Sequence, residues 1–321
     1  MWGFLFYNMI SATKPDTNSL QSKILALGDR VANTPLHHFS DGLIRNNNIR
    51  LVGKMEWLQL GGSVKARAAY SIIRNAIESG ELTEKTILLD ATSGNTGIAY
   101  AAIAKEVGIK VSLCLPENAS KERKEILTEL GVDIVYTSPF EGTDGSQQVA
   151  RDLVQENPHK YFYADQYKNE NNWKAHYNTT AFEILNQVPT ITHFVAGMGT
   201  TGTFVGTGRR LREINPAIKL IAFQPDSALH GLEGWKHLET AVVPKIYDAT
   251  VADEIVEITT EEAYEMLKRV YDTEGLLLSP SSAANVAGAL KVASTLTEGT
   301  IVTILPDNSD KYSEVIKRLI K

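Results

Sequence analysis

The chain has 321 residues, 43% of them hydrophobic, and a formal net charge of -6 at pH 7. That length can bury a sizeable core in one large domain or two smaller ones. Its charges mix both signs, as in 121–125, which is typical of solvated helix faces and argues against a nucleic-acid partner. The single cysteine, Cys114, excludes disulfides within the chain and thiolate metal sites, and it fits a reducing cytoplasm.

The first ten residues are apolar, but they have no basic flank and are too short for a membrane span of about 20 residues. We therefore predict no signal peptide and no membrane partner. Residues 1–19 are interpreted as an N-terminal arm, either loose or packed in a dimer, unless Met9 is the real start.

Short β-branched runs alternate with amphipathic helical patterns along the rest of the chain. The expected strands are 86–90, 110–115, 133–136, 192–195, 219–223 and 300–305. Apolar residues recur with a helical period over 64–77, before Gly80, and again before Gly131. The glycine-bearing stretch 141–146 is predicted to be the most mobile loop. This alternation predicts a doubly wound α/β fold, with parallel sheets covered by helices on both faces.

The first segment that could form part of an active site is a glycine turn, 61–63. This turn brings Lys65 into the first turn of an apolar helix. A helix N-terminus repels cations and lowers the pKa of an amine. This placement suits a neutral, nucleophilic amine that forms an imine. Taken alone, however, such a lysine is better explained as a solvated residue after a loop.

The second segment, 92–97, reads Thr-Ser-Gly-Asn-Thr-Gly and lies between a strand and an alanine-rich helix. Ser, Thr and Asn are favoured at helix N-caps, so one interpretation is an ordinary capped turn. The other is a carboxylate cradle, in which the helix N-terminus and side-chain donors bind an anion without a cation.

The third segment, 197–203, satisfies G-x-G-x-x-G between a strand and a helix, the context of a phosphate site. A dinucleotide site would need an acidic residue about 20 positions on. Gln224 stands there, and Asp226 comes two places late. Three threonines favour a single terminal phosphate, although the spacing alone leaves a dinucleotide open. The seven histidines have no metal-ligand spacing, so we predict no metal site.

Together with 280–284, Pro-Ser-Ser-Ala-Ala, these segments occur in the order found in the cysteine synthase and cystathionine β-synthase family. The chain resembles this family of fold-type II pyridoxal-phosphate enzymes from 33–36 to 305–307. The resemblance implies a homodimer with a tryptophan synthase β-like fold of two doubly wound domains. The smaller, mobile domain would bind the substrate and span 51–160, and the larger would bind the cofactor phosphate and comprise 20–50 and 161–321.

The resemblance also implies roles for single residues. Lys65 resembles the Schiff-base lysine, Asn95 the residue bonded to the phenolic oxygen of pyridoxal 5'-phosphate, and Ser281 the neutral serine at its pyridine nitrogen. The implied phosphate cup is Gly199, Thr200, Thr201, Gly202 and Thr203. The implied substrate-carboxylate site is Thr92, Ser93, Thr96 and Gln166. A neutral serine leaves the ring a weaker electron sink, which favours chemistry at the β-carbon over transamination.

The implied reaction is β-replacement on an activated serine, through an aminoacrylate, to make L-cysteine. Lys65 would act as general base, and the sulfur donor would be sulfide or a protein-carried thiol. Cystathionine β-synthase or cysteine desulfhydrase chemistry stays open, because 165–167 and 176–180 resemble that branch about as well. A non-catalytic regulatory paralogue is the third alternative, and the intact Lys65 argues against it.

Four departures from the family pattern leave substrate choice and turn geometry open: Ala66 after the lysine, Gln59-Leu60 ahead of the turn, Ala283 after the double serine, and Thr201 in place of a glycine, as in phosphoserine-using members. Lys236 lies where phosphoserine-using relatives place an arginine. A dianionic leaving group needs a cation in a partly desolvated mouth, so Lys236 is predicted to contact it. The preference should be weak, because lysine lacks the bidentate fork of arginine. The alternative is a solvated surface lysine.

Overall fold

Ten strands in two sheets organise the described part of the chain, which in the computed structural model comprises residues 19–44, 46–92 and 94–320. The predicted N-terminal arm, apart from Ser19, and the predicted site residue Ser93 lie outside these ranges. The strands are β1 (Leu36–His38), β2 (Ile49–Met55), β3 (Ile87–Ala91), β4 (Lys110–Pro116), β5 (Asp133–Thr137), β6 (Tyr161–Tyr163), β7 (His193–Gly197), β8 (Lys219–Pro225), β9 (Glu254–Ile258) and β10 (Gly299–Leu305).

Helices connect and cover these strands. They are α1 (Leu20–Ala26), α2 (Asp41–Ile44), α3 (Lys65–Ser79), α4 (Asn95–Val107), α5 (Lys121–Glu129), α6 (Gly142–Glu156), α7 (Asn171–Asn178), α8 (Thr180–Gln187), α9 (Gly202–Ile214), α10 (Thr260–Glu274), α11 (Pro280–Ser294) and α12 (Ser313–Leu319). Among the described residues, no helix is both long enough and apolar enough to cross a membrane.

The two sheets have the orders β1-β2-β10-β7-β8-β9 and β5-β4-β3-β6. All neighbouring strands are parallel except β1 and β2, which are antiparallel. The predicted α/β fold with parallel sheets is therefore confirmed. The six predicted strands correspond to β3, β4, β5, β7, β8 and β10, with ends displaced by one or two residues.

Strand β2 was not predicted, and its sequence explains why. Gly53 and Lys54 interrupt its apolar run, yet both lie within the six-stranded sheet. A Cβ at Gly53 would come within 2.6 Å of Leu305 Cδ1, so the glycine makes room for the neighbouring strand. Because β2 belongs to the larger sheet and β6 to the smaller, we propose that the smaller domain begins after β2 and ends after β6.

Helix ends follow the glycines in part. Helix α3 ends where Gly80 adopts φ 78°, as the sequence predicts, because glycine reaches this left-handed conformation without a Cβ clash.

The prediction of a mobile loop over 141–146 is wrong, because Gly142 begins α6. Glycine has low helix propensity, but Ser146 and Gln147 are buried in this helix, and their packing decides the local structure.

A buried ionic cluster fixes the helix that carries Lys65. Arg67 of α3 lies 2.6 Å from both Glu56 and Glu183, and Lys54 lies 2.7 Å from Glu183. Burial raises the pKa of Glu183, but Arg67 and Lys54 outweigh it and hold this pKa at about 2. Removing one partner would leave an uncompensated buried charge, so the cluster ties α3 to β2 and α8.

Candidate active site

The carboxyl ends of β3, β7 and β10 open on one cavity of about 340 Å³. Open α/β sheets bind their ligands at this end of the strands. Most of the predicted site residues line the cavity: Lys65, Thr92, Asn95, Thr96, Gln166, Gly199, Thr200, Thr201, Thr203, Lys236 and Ser281. Gly202, the first residue of α9, is not among the residues that line the cavity.

Lys65 is the first residue of α3 and follows a turn in which Gly61 and Gly62 have φ of 83° and 62°. Burial lowers the pKa of Lys65, and the negative charge of Asp307 opposes this shift. The sequence indicated a lowered pKa but attributed it to the helix dipole, whereas removal from water is the principal cause here. A lowered pKa increases the neutral fraction of the amine, which is its nucleophilic form.

Asp307 accepts hydrogen bonds from residues on both sides of the cavity, because Asn95 belongs to α4 and Ser281 to α11. It accepts hydrogen bonds from Asn95 Nδ2 at 2.8 Å, from Tyr312 OH at 2.7 Å and from Ser281 Oγ at 3.4 Å. The sequence analysis assigned Asp307 no role, although its position two residues after β10 was a usable signal. The Oδ1 atom of Asn95 is buried and has no hydrogen-bond partner among the described residues.

The phosphate loop joins β7 to α9. Thr201 adopts φ 71°, a conformation uncommon for a residue with a side chain. A Cβ at Gly199 would come within 1.9 Å of Gly234 O, so only glycine fits this close approach. The hydroxyl of Thr201 is buried without a partner among the described residues, and Thr203 Oγ1 lies 3.2 Å from His176 Nε2.

The predicted carboxylate site is built from the loops after β3 and β6. Thr96 Oγ1 donates to Gln166 Oε1 at 2.7 Å, and Gln166 Nε2 donates to Ala91 O at 3.0 Å. Thr92 Oγ1 accepts from a loop N–H at 3.1 Å, which leaves its own proton available. Gln166 follows Asp165, whose φ of 41° marks a strained backbone of the kind found at functional sites.

Asn172 connects this carboxylate site to the phosphate loop. Its Nδ2 atom donates to Gln166 O at 2.7 Å and to Thr200 Oγ1 at 3.1 Å. The side chain is buried, and a Cβ at Gly202 would come within 2.0 Å of its Oδ1. No pattern in the sequence indicates a role for this residue, which lies in a polar, asparagine-rich stretch.

The mouth of the cavity carries two charge pairs. Lys236 Nζ lies 3.0 Å from Asp144 Oδ1, and the Lys236 side chain is only 13% exposed, so it is not a solvated surface lysine. Arg123 forms an ion pair with Glu233. The first pair joins α6, which packs on the smaller sheet, to the loop before β9, and the second joins α5, which packs on α4, to the same loop.

These features fit pyridoxal 5'-phosphate. A helix N-terminus with an unpartnered buried hydroxyl and a closely approaching glycine suits a phosphate monoester. A desolvated lysine on the same cavity suits an aldehyde. Ser281, which also lines the cavity, provides a further hydroxyl group. Among the described residues there is no group of three or more potential metal ligands.

The family assignment follows from the sequence profile of the pyridoxal-phosphate-dependent enzymes, which matches residues 27–307. This chain belongs to the pyridoxal-phosphate-dependent enzyme family. Since the match covers all the segments described above, the family's cofactor is pyridoxal 5'-phosphate in this chain as well.

Within this family, the chain is similar to cysteine synthases and to O-acetylserine-dependent cystathionine β-synthases. A cysteine synthase of Aquifex aeolicus is 42% identical over 289 residues, 88% of each chain. An O-acetylserine-dependent cystathionine β-synthase of Bacillus subtilis is 35% identical over 296 residues, 90% of this chain and 96% of that one. The crystal structure of the Helicobacter pylori O-acetylserine-dependent cystathionine β-synthase has a TM-score of 0.84 and 32% identity, covering 92% of this chain and 97% of that chain.

Proposed function

We propose that this pyridoxal-phosphate enzyme makes L-cysteine by replacing the activated hydroxyl group of a serine derivative with sulfur. One observation carries the proposal: Lys65, the phosphate loop and the carboxylate site share a single cavity. The similarity to cysteine synthases over most of the chain supports it. An intact Lys65 in this cavity disfavours a non-catalytic regulatory role.

Bound pyridoxal 5'-phosphate supplies an electron sink that eases loss of the Cα proton and of a group on Cβ. Lys65 would hold the cofactor, and its free amine would remove the Cα proton and later return it. Burial, which lowers the pKa of Lys65, keeps more of this amine in the basic, neutral form. Asp307 limits the shift and accepts hydrogen bonds from Asn95 and Ser281, which would orient these two side chains toward the cofactor.

The substrate carboxylate is bound at the N-terminus of α4. Thr92 Oγ1 accepts a loop N–H and Gln166 Nε2 donates to Ala91 O, so a hydroxyl proton of Thr92 and a second amide proton of Gln166 would be available to the carboxylate, while Thr96 holds the Gln166 side chain. Oriented donors at a helix N-terminus bind a carboxylate without a cation. Ser93, the next residue after Thr92 in the sequence, completes the proposed set.

The two charge pairs at the mouth exclude water during the reaction. With Lys236 bound to Asp144 and Arg123 bound to Glu233, helices α6 and α5 are held against the loop before β9. Exclusion of water protects a reactive intermediate from hydrolysis. We propose, as a contribution to substrate choice, that Lys236 lies beside the leaving group on Cβ.

A second candidate function is cystathionine β-synthase chemistry, in which an amino-acid thiol replaces sulfide. The similarity to the Bacillus subtilis and Helicobacter pylori proteins favours it. Both functions share the Lys65 steps and differ only in the nucleophile. For both functions we propose a homodimer, and size-exclusion chromatography with light scattering would test this oligomeric state. We also propose that the enzyme acts in the cytoplasm. A protein-carried thiol is a further candidate donor.

One assay tests the proposed function and separates the candidates. The holoenzyme is given sulfide or homocysteine together with O-acetylserine, O-phosphoserine or serine, and each amino-acid product is quantified. We expect cysteine from sulfide and an activated serine, with no product from Lys65→Ala and full activity in the exposed Lys121→Ala control. Cystathionine formed far faster than cysteine would transfer the assignment to the second candidate. No product from any pair would contradict both.

A further inference from the structure

The mouth of the cavity has an unfavourable charge balance for an anion. Besides Lys65, the charged side chains on the wall are two cations and three carboxylates: Arg123, Lys236, Glu141, Asp144 and Glu233. The described part of the wall therefore has one net negative charge outside the cofactor site. A substrate that brings further negative charge meets repulsion before any chemistry begins.

Asp144 is bound so that it faces Lys236 directly. Its Oδ1 accepts from Lys236 Nζ at 3.0 Å and from Gln147 Nε2 at 3.0 Å, and its Oδ2 accepts from Val242 N at 3.3 Å. These bonds come from its own helix and from the opposite loop. They hold the carboxylate in one position, so the charge of Lys236 is already compensated.

Lys236 has little freedom to leave this partner. Its side chain is 13% exposed, and Nζ lies 5.2 Å from the centre of the Tyr167 ring. Its main-chain N–H donates to Met198 O at 2.9 Å, beside the phosphate loop. The cation thus stays at the cavity, where the group on Cβ departs, and Asp144 stays with it.

Arg123, the other cation on the described wall, is compensated in the same way. Its guanidinium pairs with Glu233 and lies 5.1 Å from the centre of the Tyr312 ring. An incoming dianion therefore finds each mouth cation already opposed by a carboxylate. Displacing a carboxylate costs its hydrogen bonds and leaves a repelling charge nearby.

We propose that Asp144 determines leaving-group specificity: by pairing with Lys236 it disfavours serine derivatives with a dianionic leaving group and selects a neutral acyl ester. The inference rests on the proposed β-replacement. In that reaction the Cβ–O bond breaks, its electron pair leaves with the acyl oxygen as a carboxylate, and sulfur forms the new Cβ–S bond. A neutral ester brings no charge into the mouth, whereas a phosphate ester brings two.

The test is the ratio of kcat/KM for O-phosphoserine to kcat/KM for O-acetylserine, measured on the holoenzyme with sulfide. Asp144→Asn removes the charge and keeps an acceptor for Val242 N–H. We expect the ratio to rise about tenfold or more, because a freed cation in a partly desolvated site forms charge-assisted bonds with phosphate. Lys236→Ala should lower the ratio, since it leaves Asp144 uncompensated. The double variant Asp144→Asn/Lys236→Ala should not show the increased ratio of Asp144→Asn, because the freed cation is absent.

Two controls and a binding measurement sharpen the result. Asp152→Asn, an exposed position on the same helix, should leave the ratio unchanged. Glu141→Gln, on the cavity wall, should raise it less than Asp144→Asn. Inorganic phosphate should inhibit Asp144→Asn at lower concentration than wild type, with O-acetylserine as substrate. An unchanged ratio in Asp144→Asn, or a raised ratio in Lys236→Ala, would overturn the inference. If the wild-type enzyme turned over neither O-phosphoserine nor O-acetylserine, the proposed function itself would be overturned.

Discussion

We propose that Asn95 and Gln166 orient the substrate and do not hold the cofactor phosphate. Asn95 is bound to Asp307, and Gln166 is bound to Thr96 and to the end of β3. Asn95→Ala and Gln166→Ala should each weaken O-acetylserine binding by about 1–3 kcal/mol, because buried partners lose their hydrogen bonds. Titration of the cofactor's visible absorbance would measure the dissociation constant, and cofactor content after dialysis would measure retention.

Gly199→Ala is the matched contrast for this division of roles. A Cβ at Gly199 would come within 1.9 Å of Gly234 O, so the phosphate loop must move and cofactor retention should fall first. If Asn95→Ala and Gln166→Ala lost as much cofactor as Gly199→Ala, the roles would not be separate.

Single residues show where the sequence was sufficient. Lys65 and the phosphate loop were predictable because a local run of residues defines each. Asp307, Asn172 and Asp144 were not, because their contacts join distant parts of the chain: Asn95 and Asp307 are 212 residues apart. Pairing at that separation depends on the fold and leaves no local pattern.

At the scale of elements, a buried carboxyl group joins the end of β3 to the loop after β6. Asp90 is fully buried and accepts from Ala91 N at 2.8 Å and Gln166 N at 3.4 Å. Burial raises the pKa of Asp90 to about 7, and the negative charge of Asp165 adds to this increase. The hydrogen bonds from backbone N–H groups and from the adjacent Tyr100 hydroxyl lower the pKa but do not offset the effect of burial. The carboxyl group is therefore protonated in the folded chain well above its ordinary pKa of 3.8.

This shift has a defined sign for stability. Between pH 3.8 and about 7 the folded chain binds more protons at Asp90 than the unfolded chain, so stability falls as pH rises through this window. The full loss is on the order of 4 kcal/mol. We expect the melting temperature to drop less between pH 5 and pH 8 in Asp90→Asn than in wild type. An equal drop in the two proteins would contradict the raised pKa, and Asp152→Asn serves as the exposed control.

Strands were predictable where apolar or β-branched residues dominate a run of five or more. The six confirmed strands have continuous apolar or β-branched runs, whereas β1 and β6 are three residues long and β9 is largely exposed. Short strands leave too few residues for a periodic signal. Strand β2 was missed because Lys54, which would normally indicate exposure, is neutralised inside the sheet by Glu183.

At the scale of the whole molecule, the cavity lies between the two sheets and depends on their staying together. Glu233 forms its ion pair with Arg123 of α5, across the mouth. Glu233→Gln should loosen this contact and admit water, so that more substrate is lost as pyruvate. The pyruvate-to-cysteine ratio, measured at limiting sulfide, should rise in Glu233→Gln and stay at the wild-type value in the exposed Glu298→Gln. A constant ratio in both would show that the pair does not control access of water.

The central claim is that Lys65 carries the cofactor in this cavity, and chemical trapping tests it most directly. Borohydride reduction of the purified holoenzyme, followed by proteolysis and mass spectrometry, would locate the fixed cofactor. We expect the added mass on the peptide that contains Lys65, and no fixed cofactor in Lys65→Ala, because only a lysine amine forms the reducible imine. Cofactor fixed to another lysine, or equal trapping in Lys65→Ala, would contradict the account.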